Sequence, residues 1–215
     1  MPELRPVYPL ADARNAIIEA AIARFAERGF HGTTMRDIAE RAGVSQGLLH
    51  HHFGNKEGLW NTVGDRISAD FMDYVAPALD RAAAPEAAIP AALRTYLAYW
   101  REHPAAFRFN LWRLLEGPKG ERAARSSKLT AHSVPLFKLA QDAGYLRGDL
   151  PPGLSMIIAG ALIQFWLHSQ TEIGDALAVT GDVPPPDDAF IETILGLVRA
   201  HPTKAPARAA RAKKP

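Results

Sequence analysis

TTMRDIAERAGVSQGLLHHHFGNK, residues 33–56, decides how the rest of the chain is read. Thr34 followed by Asp37 is a capping-box-like pair, able to satisfy the orphan amides where a helix begins. Ile38, Ala39 and Ala42 then form an apolar stripe at helical spacing. Gly43 stands where a helix end wants a left-handed residue, a conformation glycine adopts at little cost. Val44 returns to the core, and Ser45 is a good cap for a second helix running to about His52, packed down by Leu49 and Phe53. Asn55 caps the next helix, with Lys56 in its first turn. Ala39, Gly43 and Leu49 supply the small crossing residue, the turn glycine and the anchor that a helix-turn-helix needs. A unit of this kind places its second helix in the major groove of DNA.

Groove readout falls to side chains near the start of that second helix: Ser45, Gln46, Gly47 and Leu48. Gln46 alone among them is able to make a bidentate contact to a base, most naturally adenine. Gly47 lets the backbone approach closely, and Leu48 either touches a thymine methyl or packs inward. Thr33, Thr34, His50, His51 and Lys56 are the candidate phosphate contacts, although Thr34 also serves as a cap. Arg36 and Arg41 read as surface residues. The triple histidine 50–52 is not a metal site, because adjacent helix residues point about 100° apart and cannot converge on one ion. His52 is expected to pack, leaving His50 and His51 outward.

Thr33-Thr34, Ile38-Ala39, Ala42-Gly43-Val44-Ser45, Gly47, Leu49, His52-Phe53, Lys56-Glu57 and Leu59 together resemble the N-terminal signature of the TetR (tetracycline-repressor-like) family of bacterial transcription regulators. The resemblance runs from about Ala11 to Phe71; beyond it only the helical layout is similar. It implies a C-terminal region that binds a small molecule and dimerises through its last two helices. One position departs from the pattern: the family usually has tyrosine where this chain has His50, and that hydroxyl reaches a DNA phosphate. A histidine can donate there too, more strongly when protonated.

At 215 residues and 47% hydrophobic content, the chain is able to bury a sizeable core. It has no cysteine, which excludes disulfides, thiol catalysis and cysteine-zinc sites. Met1–Pro9 carries three prolines and no apolar run, so no secretory leader is expected. The longest nearly uncharged apolar run, Leu154–His168, is short for a membrane span and reads as a buried or interface helix. These features fit a cytoplasmic protein without a membrane partner.

The sequence pI of about 9.0 is misleading. Lys204, Arg208, Arg211, Lys213 and Lys214 all lie in the last fifteen residues, and without these five the chain holds 20 basic against 23 acidic residues. The helix-turn-helix differs locally, with no acid between Glu40 and Glu57. A phosphate-facing surface depends more on that local balance than on the pI.

The whole chain reads as all-α, with about nine helices and no convincing strand. The expected organisation is a flexible N-terminus (1–10), a helix-turn-helix domain (11–71), a helical ligand-binding and dimerisation domain (72–200) and a basic disordered tail (201–215). Helices are expected near Ala11–Arg28, at the two helix-turn-helix segments, and near Lys56–Ala76, Ile89–His103, Pro104–Glu116, Glu121–Ala143, Pro152–Thr171 and Asp187–Ala200, with Gly117–Gly120 as a loop. The C-terminal region is rich in aromatics, and apolar pockets with a few placed polar groups suit small ligands. Trp100, Phe107, Asn110, Trp112, Gln164 and His168 are the candidates for such a pocket. Leu154–Leu167 is apolar on nearly every face, so a second subunit is expected to cover it. Ile157, Ile158, Leu162 and Ile163, with Ile191, Ile194 and Leu195 of the last helix, are the candidate dimer contacts.

The reading is a dimeric repressor, released from a palindromic operator in double-stranded DNA by a small-molecule effector, with no cofactor or metal. Two rivals stand beside it: a ligand-independent architectural DNA-binding protein, and a helical enzyme. The enzyme is disfavoured because no carboxylate pair, Ser-His-Asp set, phosphate-cradling loop or metal cluster occurs at suggestive spacing.

Overall fold

A computed structural model of the chain describes residues 10–79, 83–116 and 119–200. Ten α-helices lie among them: α1 (Leu10–Arg28), α2 (Met35–Ala42), α3 (Gln46–Phe53), α4 (Lys56–Val75), α5 (Pro85–Glu102), α6 (Pro104–Glu116), α7 (Lys119–Asp142), α8 (Pro152–His168), α9 (Gln170–Ala178) and α10 (Asp187–Val198). The only extended pairing among the described residues is one antiparallel bridge, Leu146 to Arg199. The basic tail 201–215 and all but Leu10 of the N-terminal segment 1–10 lie outside the described residues, as do Gly117 and Pro118 of the expected loop.

The tenth helix comes from a break that the apolar run 152–171 concealed. α8 stops at His168, and α9 leaves it at 85°. Ser169 at the junction has φ −111° and ψ 34°, and its hydroxyl lies 2.8 Å from His168 Nδ1. The Gln170 amide donates to the Trp166 carbonyl. Polar side chains that bond nearby backbone offer the chain an alternative to the helical ladder. α5 begins earlier than its apolar pattern suggested, because Pro85 occupies the first helical turn, where its missing N–H costs nothing.

Two cores form. The first gathers Ile17, Phe25, Ile38, Leu49, Leu59, Trp60 and Val63 from α1–α4. Its packing does not end near residue 72, since Trp100, Phe107 and Phe109 belong to the same cluster. Phe109 lies 4.5 Å from the Trp60 ring and 6.0 Å from that of Phe25. The second core joins α5, α7, α8 and α10 through Ile89, Leu93, Leu136, Phe137, Ile163, Trp166 and Ile194. Arg94 pairs with Asp188 and Glu192, and Arg101 with Asp187, which fastens α10 along α5. No single described helix is long and apolar enough to cross a membrane; only the bent α8–α9 pair has the length and composition.

Candidate nucleic-acid interface

The helix-turn-helix is held by backbone chemistry. The Thr34 hydroxyl accepts from the Asp37 amide at 3.1 Å, and the Asp37 carboxylate accepts from the Thr34 amide at 3.0 Å and its hydroxyl at 2.7 Å. Those donors hold the Asp37 carboxyl below the usual range. Gly43 closes α2 at φ 69°, a left-handed turn in which a side chain would be strained. The Ser45 hydroxyl caps α3 by accepting from the Leu48 amide at 3.2 Å. Asn55 caps α4 by accepting from the Gly58 amide at 2.8 Å. Leu49 and Phe53 bury the inner face of α3.

The outer face of α3 is a strip made of Gln46, Gly47, His50 and His51, all exposed. Gln46 and His50 are four residues apart, as are Gly47 and His51, so each pair stacks along one side of the helix. A Cβ built on Gly47 would come no nearer than 4.0 Å to any other atom outside its immediate surroundings, the Ser45 hydroxyl. Nothing among the described residues therefore requires glycine there, although glycine costs a helix about 1 kcal/mol relative to alanine. Leu48 is half-buried and packs against the first core, so of its two readings packing is the one observed. The imidazole Nδ1 of His50 lies 2.7 Å from the Gly54 carbonyl.

Two of the expected phosphate contacts have other work. Thr33 is fully buried, and its hydroxyl donates to the carbonyls of Gly29 (2.8 Å) and Arg24 (3.1 Å). Lys56 donates its ammonium to the carbonyls of Phe30 (2.8 Å) and Thr33 (2.9 Å), and lies 4.3 Å from the centre of the Phe30 ring. Both residues tie the α1–α2 connection in place, which corrects their reading as DNA contacts. Residue types along the segment gave no hint of this, because the acceptors are backbone atoms. Nearby guanidinium groups are matched, Arg36 with Glu40 at 2.9 Å and Arg41 with Glu27 at 3.3 Å.

α6 connects this unit to the remaining helices. The Glu116 carboxylate accepts from the Phe30 amide at 2.6 Å, and the Trp112 indole donates to the Ala26 carbonyl at 3.3 Å. Gly29, at φ 69°, has no room for a side chain, since a Cβ would meet the Trp112 ring at 2.8 Å. Further along, the buried Arg113 lies flat against α4 at Gly64 and 5.6 Å from the Phe109 ring. Neither Glu116 nor Arg113 stood out in the sequence.

The expected ligand residues do not converge. Trp100 and Phe107 meet at 5.8 Å inside the first core, where Trp100 also stacks on Phe71. Gln164 donates to the Tyr96 hydroxyl at 2.7 Å, and Tyr96 is edge-on to Trp100. Burial raises the Tyr96 pKa, partly offset by the Gln164 donor. Asn110 is half-exposed on α6, Trp112 faces α1, and His168 is exposed beside Phe165 at the end of α8. The expectation of one pocket built from all six is therefore corrected. Tyr96, the polar partner of Gln164, was missed among the aromatics.

The expected dimer residues also divide. Ile163, Ile191, Ile194 and Leu195 are at most 1% exposed within a single chain, so they fill its own core and offer no surface to a partner, a correction for these four. Ile158 and Leu162 are half-buried. Ile157 is 58% exposed and shares the outer side of α8 with Leu154, Ala161 and Phe165. No three metal-ligating side chains cluster among the described residues.

Residues 17–63 match the family model for bacterial regulatory proteins of the tetR family. The likeness to the tetR family thus rests on these N-terminal helices. Over 62 residues it is 44% identical to the HTH-type transcriptional repressor KstR2 of Mycobacterium tuberculosis H37Rv, covering 29% of each chain. Over 107 residues it is 38% identical to the HTH-type transcriptional regulator RutR of Escherichia coli K12, covering 48% of this chain and 49% of that one. The chain thus matches less than half the length of these curated relatives. Among solved structures, a tetR-family regulatory protein from Rhodococcus RHA1 superposes with a TM-score of 0.72 at 18% identity, covering 88% of this chain and 98% of that one. The ketosteroid transcriptional regulator KstR2 of M. tuberculosis superposes with a TM-score of 0.61 at 22% identity, covering 92% and 98%. The fold of the tetR-type domain and of the helices behind it is shared with these structures.

Proposed function

We propose that the chain is a DNA-binding transcriptional regulator, a dimeric repressor that a small-molecule effector releases from a palindromic operator. The observation that carries this reading is the exposed strip Gln46-Gly47-His50-His51 on a helix whose other face is fully committed to the core. A glycine that the protein itself does not need, flanked by a base-reading amide and two imidazoles, suits a surface that approaches a groove. The matched relatives carry the names of transcriptional repressors and regulators, which supports it.

Dimerisation is supported by the outer side of α8, where Leu154, Ile157 and Phe165 are 42%, 58% and 51% exposed, together with Leu197 of α10 at 52%. An apolar strip on two adjacent helices is the isologous surface that a two-fold partner would cover. Two α3 helices would then meet successive major grooves about 34 Å apart. The route for effector action is α6. Its aromatic start packs with Trp100, and its end grips the Gly29–Phe30 turn through Trp112 and Glu116. A ligand that prefers one α6 position shifts the spacing of the α3 pair, and a coupling of about 1–3 kcal/mol changes affinity roughly 5- to 150-fold. Gln164, Tyr96 and Trp100 are the groups best placed to line the effector site.

Enrichment of random-sequence duplexes on the full chain tests the reading. A palindromic motif with half-sites about 10 bp apart is expected. Recovery of no sequence preference contradicts it, and preference for a single half-site contradicts the dimer.

A further inference from the structure

The outward strip of α3 carries no fixed charge; its ionisable groups are histidines. With the start of the helix directed at base edges, the last turn lies against the phosphates that border the groove. His50 has a defined proton arrangement there. Its Nδ1 is 2.7 Å from the Gly54 carbonyl oxygen, which can only accept, so Nδ1 holds the proton. In the neutral ring, Nε2 is then a bare lone pair, and a phosphate oxygen is an acceptor as well. The two become partners only when Nε2 gains a proton, which makes it a charged donor.

The surrounding charges do not replace that proton. On α2, Arg36 is paired with Glu40, Arg41 with Glu27 of α1, and Asp37 is tied to Thr34. On α4, Lys56 is held by two carbonyls, and Glu57 is exposed in the first turn. From α1, Arg14 sits 5.6 Å above the Phe53 ring, beside the end of α3. His31, in the α1–α2 connection, is edge-on to Phe30. On α3 itself His52 is half-buried, with its Nε2 enclosed and without a hydrogen-bond partner. His51 is exposed beside it.

We infer that DNA binding by this helix is proton-linked: His50 grips the bordering phosphates only as an imidazolium, and His51 beside it becomes a stronger donor when charged, so affinity rises as pH falls through neutrality. This rests on the DNA-binding reading proposed above. Bound DNA favours the protonated ring, so the complex holds more protons than the free protein, and binding is lost as pH rises. A tenfold gain in a histidine's proton affinity on meeting the phosphate weakens binding by up to about 10-fold per histidine as pH rises, and by up to roughly 100-fold for the two copies of one histidine in a dimer.

The test uses the full chain and a duplex enriched from a random-sequence pool at pH 6, with dissociation constants measured from pH 6 to pH 8 at constant ionic strength. Wild type is expected to weaken by about the factor above. H50Q should lose His50's share of that slope, H50Q/H51Q should bind with nearly constant affinity, and H50R should stay tight at pH 8. A wild-type affinity that changes less than 2-fold overturns the inference, as does a slope that survives H50Q/H51Q intact. These outcomes leave the DNA-binding reading standing, whereas failure to enrich any duplex overturns that reading and this one with it. Thermal unfolding of each variant confirms that the exposed substitutions leave the fold in place.

Discussion

Lys56 shows how a single residue can mislead a sequence reading. A lysine after a recognition helix suggests a phosphate contact, yet its ammonium is occupied by the carbonyls of Phe30 and Thr33. Hydrogen bonds to a charged donor are worth about 1.5–3 kcal/mol, so Lys56→Met is expected to lower unfolding stability by about that amount in chemical denaturation. The salt slope of DNA binding should stay as in wild type once the folded fraction is allowed for; a slope lower by about 1 would return Lys56 to the phosphate contacts. Tyr99 makes a second prediction at this scale. Burial, reinforced by the Asp70 charge, pushes its pKa up to about 12, and its hydroxyl donates to the Ile67 carbonyl at 3.3 Å. The folded state holds this proton above the unfolded value of about 10, so stability is full below pH 10 and declines as pH rises toward 12. Ultraviolet titration of the phenols should show buried tyrosines ionising late, Tyr96 and Tyr99 among them, and Tyr99→Phe should lower that late amplitude by one phenol.

At the scale of elements, what was legible followed backbone rules. The caps at Thr34, Ser45 and Asn55 and the left-handed Gly43 were read from residue type and spacing, and each is observed. The α8–α9 break was illegible because it depends on Ser169 and Gln170 bonding their own neighbourhood within an otherwise apolar run. The grip of α6 on the α1–α2 turn was hidden for another reason: Trp112 and Glu116 act on backbone atoms 86 residues away. Gly64 belongs with these long-range features. A Cβ there would lie 1.6 Å from the Arg113 guanidinium, inside any tolerable contact. Gly64→Ala gains up to about 1 kcal/mol of helix propensity but forces a buried group aside, at about 1–3 kcal/mol. The clash should win, giving a lower melting temperature; a rise would show that Arg113 can move freely.

For the whole molecule, the site divides into a part that sequence order reveals and a part that only packing reveals. The α3 strip is contiguous, so Gln46, Gly47, His50 and His51 could be named from the chain alone. The dimer surface could not, because an all-apolar α8 conceals which side is turned inward: Ile163 is buried, whereas Ile157 is 58% exposed. A charge at Ile157 should therefore spare the protomer and break the pair. Sedimentation equilibrium of Ile157→Glu is expected to show a folded monomer with weakened operator binding. A dimer as tight as wild type would place the interface elsewhere.

The most direct test compares wild type with Gln46→Ala on the enriched duplex. Gln46 is exposed and outside both cores, so folding should not change. Loss of a bidentate base contact of about 1–3 kcal/mol predicts roughly 5- to 150-fold weaker binding per contact, with base preference relaxed at one symmetric pair of positions. Unaltered affinity and unaltered sequence preference would contradict the assignment of α3 as the element that reads DNA.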